Sequence, residues 1–505
     1  MRSCGETNTP SASVASHKIQ KIVGRKMRNI AAWTSIMMII TMGFVIVISP
    51  KVSAGIVVGG YIDQDTLWAS ELSPYWVESD VIVRNGSTLF IDSGVDVLFN
   101  GYYSIYVEVG AVLRVLKFSE PDPALFSSNF SIKGIGDWRA IQFNDTSYDQ
   151  SLIQDSIIEY ATFGIRLEGA SPTIHNNTIR NCTYGIYTNY GCPTITNNTI
   201  ENCLEDGINI SGNDPGGGYP DIQNNTVCFN TIHGMVLYDV SGARLRNNSI
   251  AGSEYNFGVW GDALSEFDHD IDESNTVEQK PIYYWRNHEH DGESIPSDAG
   301  YVGIVNSTSI AAENLTLTHN GQGILVAYSN YTSIDNVTAT DNELGIILYS
   351  SPYNSIENSN ISNNDYNGYY SEASGIYLRS SSANTIRNST ASSNNMNGIS
   401  LYDSDDNEIQ NNTLVSNKYG IDFATSSDDN IASCNTLNLN EISGISLAKT
   451  GTEYNDVNNN TISNSDHGIY VDAYYNNISY NIVSGCDYGI YIGVINNGSS
   501  PNLGK

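Results

Sequence analysis

The sequence predicts an all-β chain wound as a parallel β-helix, with three short strands in each coil of about 22 residues. Three observations predict it. The chain repeats itself: "GIRLEGASPTIHNNTIRNCTY" (164–184) is followed by "GIYTNYGCPTITNNTIENCLED" (185–206), then by related units at 207–233 and 234–257. The rhythm resumes at Gly323, Gly345, Gly375, Gly398, Gly420, Gly444, Gly468 and Gly489, mostly 21–24 residues apart. Within each unit, short apolar/polar alternations are bounded by Gly, Asn, Ser and Asp, which marks strands and tight turns rather than helices. A fixed period of this length is the signature of a solenoid, whose units bury their apolar faces only by stacking.

Taken in order, residues 1–54 read as a signal peptide or membrane anchor. "RKMRN" (25–29) is basic, "IAAWTSIMMIITMGFVIVI" (30–48) is uncharged and mostly apolar, and Val52 and Ala54 sit at the −3 and −1 positions of a small-residue cleavage site. Met27 offers an alternative start, and 19 apolar residues also suffice to span a bilayer as an uncleaved anchor. Residues 55–160 form the N-terminal cap and irregular first coils, and 161–260 the regular coils. Residues 261–300 interrupt the rhythm as an irregular insertion. Residues 301–505 return to it, with no C-terminal cap evident. About 16 stacked coils would make a single rod about 75 Å long at the usual strand spacing.

Each coil contributes recurring side chains. Asn354, Asn384, Asn407, Asn455 and Asn476 occupy matching turns before an apolar residue, where stacked amides can bond along the rod. Cys182, Cys203 and Cys486 share one position, so Cys182 and Cys203 should stack as small buried residues, with a disulfide as the alternative. Nineteen N-x-S/T sequons follow residue 55, among them Asn176, Asn197, Asn224, Asn247, Asn411 and Asn459 in the recurring "N-N-T-I" type of unit, so the repeat itself accounts for most of them beside any glycosylation.

Charge narrows the function. The chain carries 23 Lys+Arg against 55 Asp+Glu, a net charge of −32. Seven of the bases lie in the first 54 residues, so the remainder is more acidic still. Such a surface repels phosphate backbones and excludes nucleic acid as a natural partner.

Candidate site residues fall into two groups. Asp268, His269, Asp270, His288 and His290 lie in the irregular window and could supply a three-ligand set for Zn²⁺ or Cu²⁺; a structural insertion is the competing reading. Tyr187, Tyr377, Tyr470 and Tyr491 each follow an inward Ile by one residue, so they should face outward, where rings stack on ligands or partners. Asp405 and Asp428, one coil apart, read as turn formers with weak Ca²⁺ binding as the alternative. No cofactor is required by any motif.

"GIYLRSSSANTIRNST" (375–390) and "GISLYDSDDNEIQNNTL" (398–414) resemble the right-handed parallel β-helix repeats of the NosD-like family, within the wider carbohydrate-binding and sugar-hydrolase, pectin-lyase-like group. The resemblance covers roughly 80–500 and implies a right-handed helix. It implies three functions: an exported surface protein that binds carbohydrate or envelope, or builds surface architecture; a polysaccharide lyase, hydrolase or epimerase; or a periplasmic copper accessory. The expected partner is a polysaccharide or an envelope component, with membrane contact only through the N-terminal segment.

Overall fold

A computed structural model describes residues 55–117, 122–144, 150–213, 217–289, 292–365, 374–448 and 451–493. Residues 30–48 lie outside these. Among the described residues no helix is long and apolar enough to cross a membrane. The fold is a parallel β-solenoid of about 18 turns, with almost no helix among the described residues.

Each regular coil has three strands, as in Thr173–His175, Thr178–Arg180 and Tyr184–Asn189. Inward residues stack coil on coil. On the first face Ile174 pairs with Ile195, then Ile222, Leu245 and Ile271. On the third, Ile165 is followed by Ile186, Ile208, Met235 and Phe257. All but Ile271 are fully buried, and they form one apolar column per face.

The repeated "N-N" divides its labour. The first Asn takes the left-handed turn: Asn176, Asn197, Asn224 and Asn247 have φ of 54–58°, a region Asn enters more cheaply than other non-glycine residues. The second points inward. Asn177 N–H donates to Asn198 Oδ1 at 2.9 Å, Asn198 N–H to Asn225 Oδ1 at 2.9 Å, and Asn225 N–H to Asn248 Oδ1 at 3.0 Å. The first Asn of each pair carries the sequon and is exposed; the second is buried.

The periodic glycines serve a different purpose from turn-making. None of Gly345, Gly375, Gly398, Gly420 or Gly444 has positive φ. A Cβ at Gly398 would lie 2.7 Å from Gly420 O and 2.7 Å from Leu414 Cδ2; at Gly420 it would lie 2.5 Å from Gly444 O. Only glycine lets one coil's backbone approach the next this closely.

The solenoid is not one uninterrupted rod. Through Thr276–Val277 the strands stack in parallel on the coil before. The next strand, Lys280–Arg286, instead pairs antiparallel with Thr276–Val277. Glu278 and Gln279, with φ of 49° and 65°, make the reversal, since two successive left-handed residues form a two-residue hairpin. Lys280–Arg286 then starts a second run by pairing in parallel with Tyr301–Val305, and this run continues to Tyr488–Ile492. Residues 261–300 are therefore the joint between two runs rather than an insertion on one rod.

The second run lies against the third face of the first. Outward Val236 and Trp260 share a buried cluster with Leu325, Ile347, Tyr349 and Tyr377. Gly321 N–H donates to Phe257 O at 2.9 Å, and a Cβ at Gly321 would sit 2.9 Å from Gly258 Cα. The single-turn helix Leu264–Phe267 sets Phe267 5.2 Å from the ring of Tyr349, while the Tyr328 and Tyr349 hydroxyls donate to Asp262 O at 2.9 Å each.

Replacing Asn435 by Ala removes the acceptor of the Asn412 N–H, which lies at 2.9 Å. A buried donor left unpaired costs about 1–3 kcal/mol. The variant should melt at lower temperature, and the Asn412 amide should exchange faster with solvent.

Candidate functional site

The acidic and histidine window is held together by arginines. Asp268 pairs with Arg286 at 2.7 Å, Asp270 with Arg246 at 2.6 Å, and Asp272 with Arg246 at 2.9 Å. Arg246 beside Asp270 holds that carboxyl below its usual range. His269 is fully buried, its Nδ1 accepting the Ala243 N–H at 3.2 Å, and burial lowers it to about 4, so it is neutral. His288 stacks on Trp285 with rings 5.0 Å apart and lies 3.5 Å from Glu293. His290 is outside the described residues. The anticipated ligand set Asp268, His269, Asp270 and His288 is thus not assembled: Arg246 and Arg286 engage the two carboxylates, His269 is buried and His288 stacks on Trp285. Among the described residues no group of three or more His, Cys, Asp or Glu could hold a metal ion.

A histidine that the sequence did not single out sits at the joint. His233 Nδ1 lies 2.7 Å from Asp206 Oδ1, and its Nε2 lies 3.1 Å from Glu343 Oε2. All three side chains are buried. Burial alone would lower the His233 pKa, but the bonds to Asp206 and Glu343 outweigh it and push it up to about 10. Burial raises Glu343, against the pull of His233. The protonated imidazole therefore bridges a carboxylate of the first run to one of the second.

The third face of the first run is covered only where the second run reaches. Two outward columns show the boundary. One runs Tyr106, Gln142, Arg166, Tyr187, Asn209, Val236 and Gly258. The other runs Asn144, Glu168, Asn189, Ser211, Tyr238 and Trp260. Val236, Gly258 and Trp260 lie under the second run. Asn209, one coil earlier, is buried as well, and the coils before it present a half-buried band of rings, amides and charges.

The rings of that band are pre-arranged. Phe163 stacks on Tyr184 at 5.0 Å, and Tyr187 meets both edge-on at 5.5 and 5.6 Å. Arg166 lies over Phe163 at 4.8 Å and donates to Glu168 at 2.7 Å. Asn189 Nδ2 also donates to Glu168, at 3.0 Å, and Arg139 donates to the Tyr106 hydroxyl at 2.7 Å. These bonds lock the side chains into one surface. Flat rings flanked by bidentate polar groups suit a ligand with apolar C–H faces and hydroxyl edges.

The other residues anticipated from sequence fall as follows. Tyr377 is 6% exposed inside the cluster between the runs, so its expected outward display is corrected: it faces outward from its own coil but into the first run. Tyr470 and Tyr491 are half-buried and stack at 5.2 Å, 17° from parallel, next to His467. Asn354, Asn384, Asn407, Asn455 and Asn476 stand in one inward ladder with Asn430, each Oδ1 accepting the N–H one coil earlier at 2.7–2.9 Å. Asp405 Oδ1 and Asp428 Oδ1 each accept a backbone N–H from the next coil, at 2.8 and 2.6 Å. Cys182 and Cys203 are buried free thiols, and burial raises both, Cys203 to about 12.

Fold and site define a right-handed parallel β-helix protein. Residues 267–441 match the family described as periplasmic copper-binding protein (NosD), and residues 125–270 match the right handed beta helix region. No curated protein matches the sequence. Among solved structures, the A-module of mannuronan C-5 epimerase AlgE6 from Azotobacter vinelandii is 13% identical over 83% of this chain and 89% of that chain, with a TM-score of 0.27. The periplasmic alginate epimerase AlgG is 10% identical over 81% and 78%, TM-score 0.27. The Dettilon tailspike protein gp208 is 14% identical over 81% and 62%, TM-score 0.26. Likeness at these scores carries no argument about activity.

The His233 bridge makes stability depend on pH. Its pKa is raised on folding, so its contribution is complete below the ordinary value near 6.5 and is lost as pH rises through about 10. The melting temperature should therefore fall between pH 7 and pH 10. His233→Gln should flatten that slope and cost about 3–5 kcal/mol at pH 7, because it strands buried carboxylates.

Proposed function

We propose that the protein is exported and binds polysaccharide along the open third face of its first run. The observation that carries this is the band of Phe163, Tyr184 and Tyr187 with Arg166, Glu168, Asn189, Gln142 and Asn144, held in register over consecutive coils. Export is supported by the basic, apolar and small-residue succession at the N-terminus, and by the periplasmic setting named for the matched family.

A solenoid suits this task. The strand spacing places one side chain of a column about every 4.8 Å, so the four half-buried members from Tyr106 to Tyr187 span about 14 Å. An extended glycan laid across them meets rings, amides and a guanidinium without any loop having to order. The cost of binding is then mostly the ordering of the ligand.

Calorimetric titration against neutral and acidic oligosaccharides tests the reading. Phe163→Ala with Tyr187→Ala should weaken the best ligand about tenfold, equivalent to ~1.4 kcal/mol, with the melting temperature little changed. Absence of binding across the panel, or an unaltered affinity in the double variant, contradicts it. Turnover of the ligand, abolished by Glu168→Gln, would move the reading from binding to catalysis.

The match at 267–441 favours a second reading, a copper accessory. In this chain the donors of the 268–288 stretch are paired to arginines, buried or stacked on a ring. Copper at one equivalent after dialysis, lost in His288→Ala, would favour that reading over glycan binding.

A further inference from the structure

Along one turn edge of the second run, seven consecutive coils place Tyr331, Tyr353, Ala383, Asp406, Asp429, Tyr454 and Tyr475 at equivalent positions. Each directly precedes a residue of the inward ladder, Thr332 or one of its asparagines. All seven have positive φ, between 54 and 60°. That region suits Gly, Asn and Asp and disfavours a bulky ring. The column accepts Ala and Asp, so the coil does not need an aromatic there. Four tyrosines nevertheless occupy it, each 55–59% exposed.

They come in two pairs. Tyr331 and Tyr353 stack at 5.5 Å, 13° from parallel; Tyr454 and Tyr475 stack at 5.3 Å, 7° from parallel. Four coil steps separate Tyr353 from Tyr454, about 19 Å along the axis. Between the pairs the edge carries Asp405, Asp406, Asp428 and Asp429. Backbone strain accepted at exposed positions for side chains that folding does not require points to function.

We propose that this edge is a second glycan site, on which the two tyrosine pairs are end platforms for one linear polysaccharide without acidic groups. The rings stack on sugar C–H faces. The carboxylates between them accept hydroxyl hydrogen bonds and repel acidic chains. The site lies on the second run, rests on its own observations, and does not depend on the open face of the first run.

Affinity electrophoresis of the full chain tests this, with hydroxyethyl cellulose and alginate as probes and Phe163→Ala/Tyr187→Ala as the background that disables the other face. Hydroxyethyl cellulose should retard that background protein, and alginate should not. Tyr331→Asn/Tyr353→Asn and Tyr454→Asn/Tyr475→Asn should each weaken retardation at least fivefold. Because Asn favours the left-handed region, neither should lower the melting temperature, which a purely structural role for the rings would require. The corresponding Phe variants should stay within twofold. No retardation by hydroxyethyl cellulose, equal retardation by alginate, unchanged binding in the Asn variants, or binding lost only together with thermal stability would each overturn the proposal.

Discussion

The inward amide ladder is the constraint on which the rest of the molecule depends. An Asn Oδ1 in one coil accepts the backbone N–H of its counterpart in the coil before, as Asn198 does for Asn177 and Asn476 for Asn455. A buried N–H at a turn has no strand partner, so the amide removes a cost that would recur in every coil. It also fixes register. A slip of one residue would turn the Ile columns outward and leave each amide without its donor. The glycine columns, where an added Cβ would meet the next coil's carbonyl oxygen at 2.3–2.7 Å, tolerate no such slip. Outward side chains are thereby placed from within: the Gln142, Arg166, Tyr187 and Asn209 column is straight because the Ile141, Ile165, Ile186 and Ile208 column behind it is.

The joint gives the array its second property. The left-handed pair Glu278 and Gln279 sends the chain back rather than onward, and Lys280–Arg286 opens a new stack. The two runs then bury outward residues that a continuous rod would display, among them Val236, Trp260, Ile347 and Tyr377. Such an interface is held by apolar burial and by the His233 bridge, whose two ring nitrogens reach Asp206 Oδ1 and Glu343 Oε2. Because the second run covers only the later coils of that face, the earlier ones remain open. The boundary between covered and open coils passes between half-buried Tyr187 and buried Asn209, neighbours in one column.

Much of this was legible in the sequence, and the exceptions have physical reasons. The 22-residue rhythm, three strands per coil and the right-handed β-helix class followed from periodicity and the NosD-like repeats. The reversal was not legible, because Glu278-Gln279 lacks the Asn or Gly that normally announces a two-residue turn. Tyr377 follows its inward Ile like Tyr187, and only the packing of a distant run separates their surroundings. The Asp and His window resembled a metal set when read along the chain. Read across coils, Arg246 stands 24 residues before Asp270, one coil away, and its neutralising role could have been found by aligning the units. His233 and Glu343 are 110 residues apart, and only the packing of the second run against the first brings them together. The glycine columns were visible, but their cause is close backbone approach rather than left-handed turns.

The central claim is that register imposed from inside the solenoid builds a ready-made glycan surface outside it. The most direct measurement is a crystal structure of the protein with a bound oligosaccharide from the ligand class that titration selects. The account predicts sugar rings against Phe163, Tyr184 and Tyr187, with hydroxyls on Glu168 and Asn189 and no movement of those side chains. Sugar bound only at the 268–293 joint, or a bound state in which the band must rearrange, would contradict it.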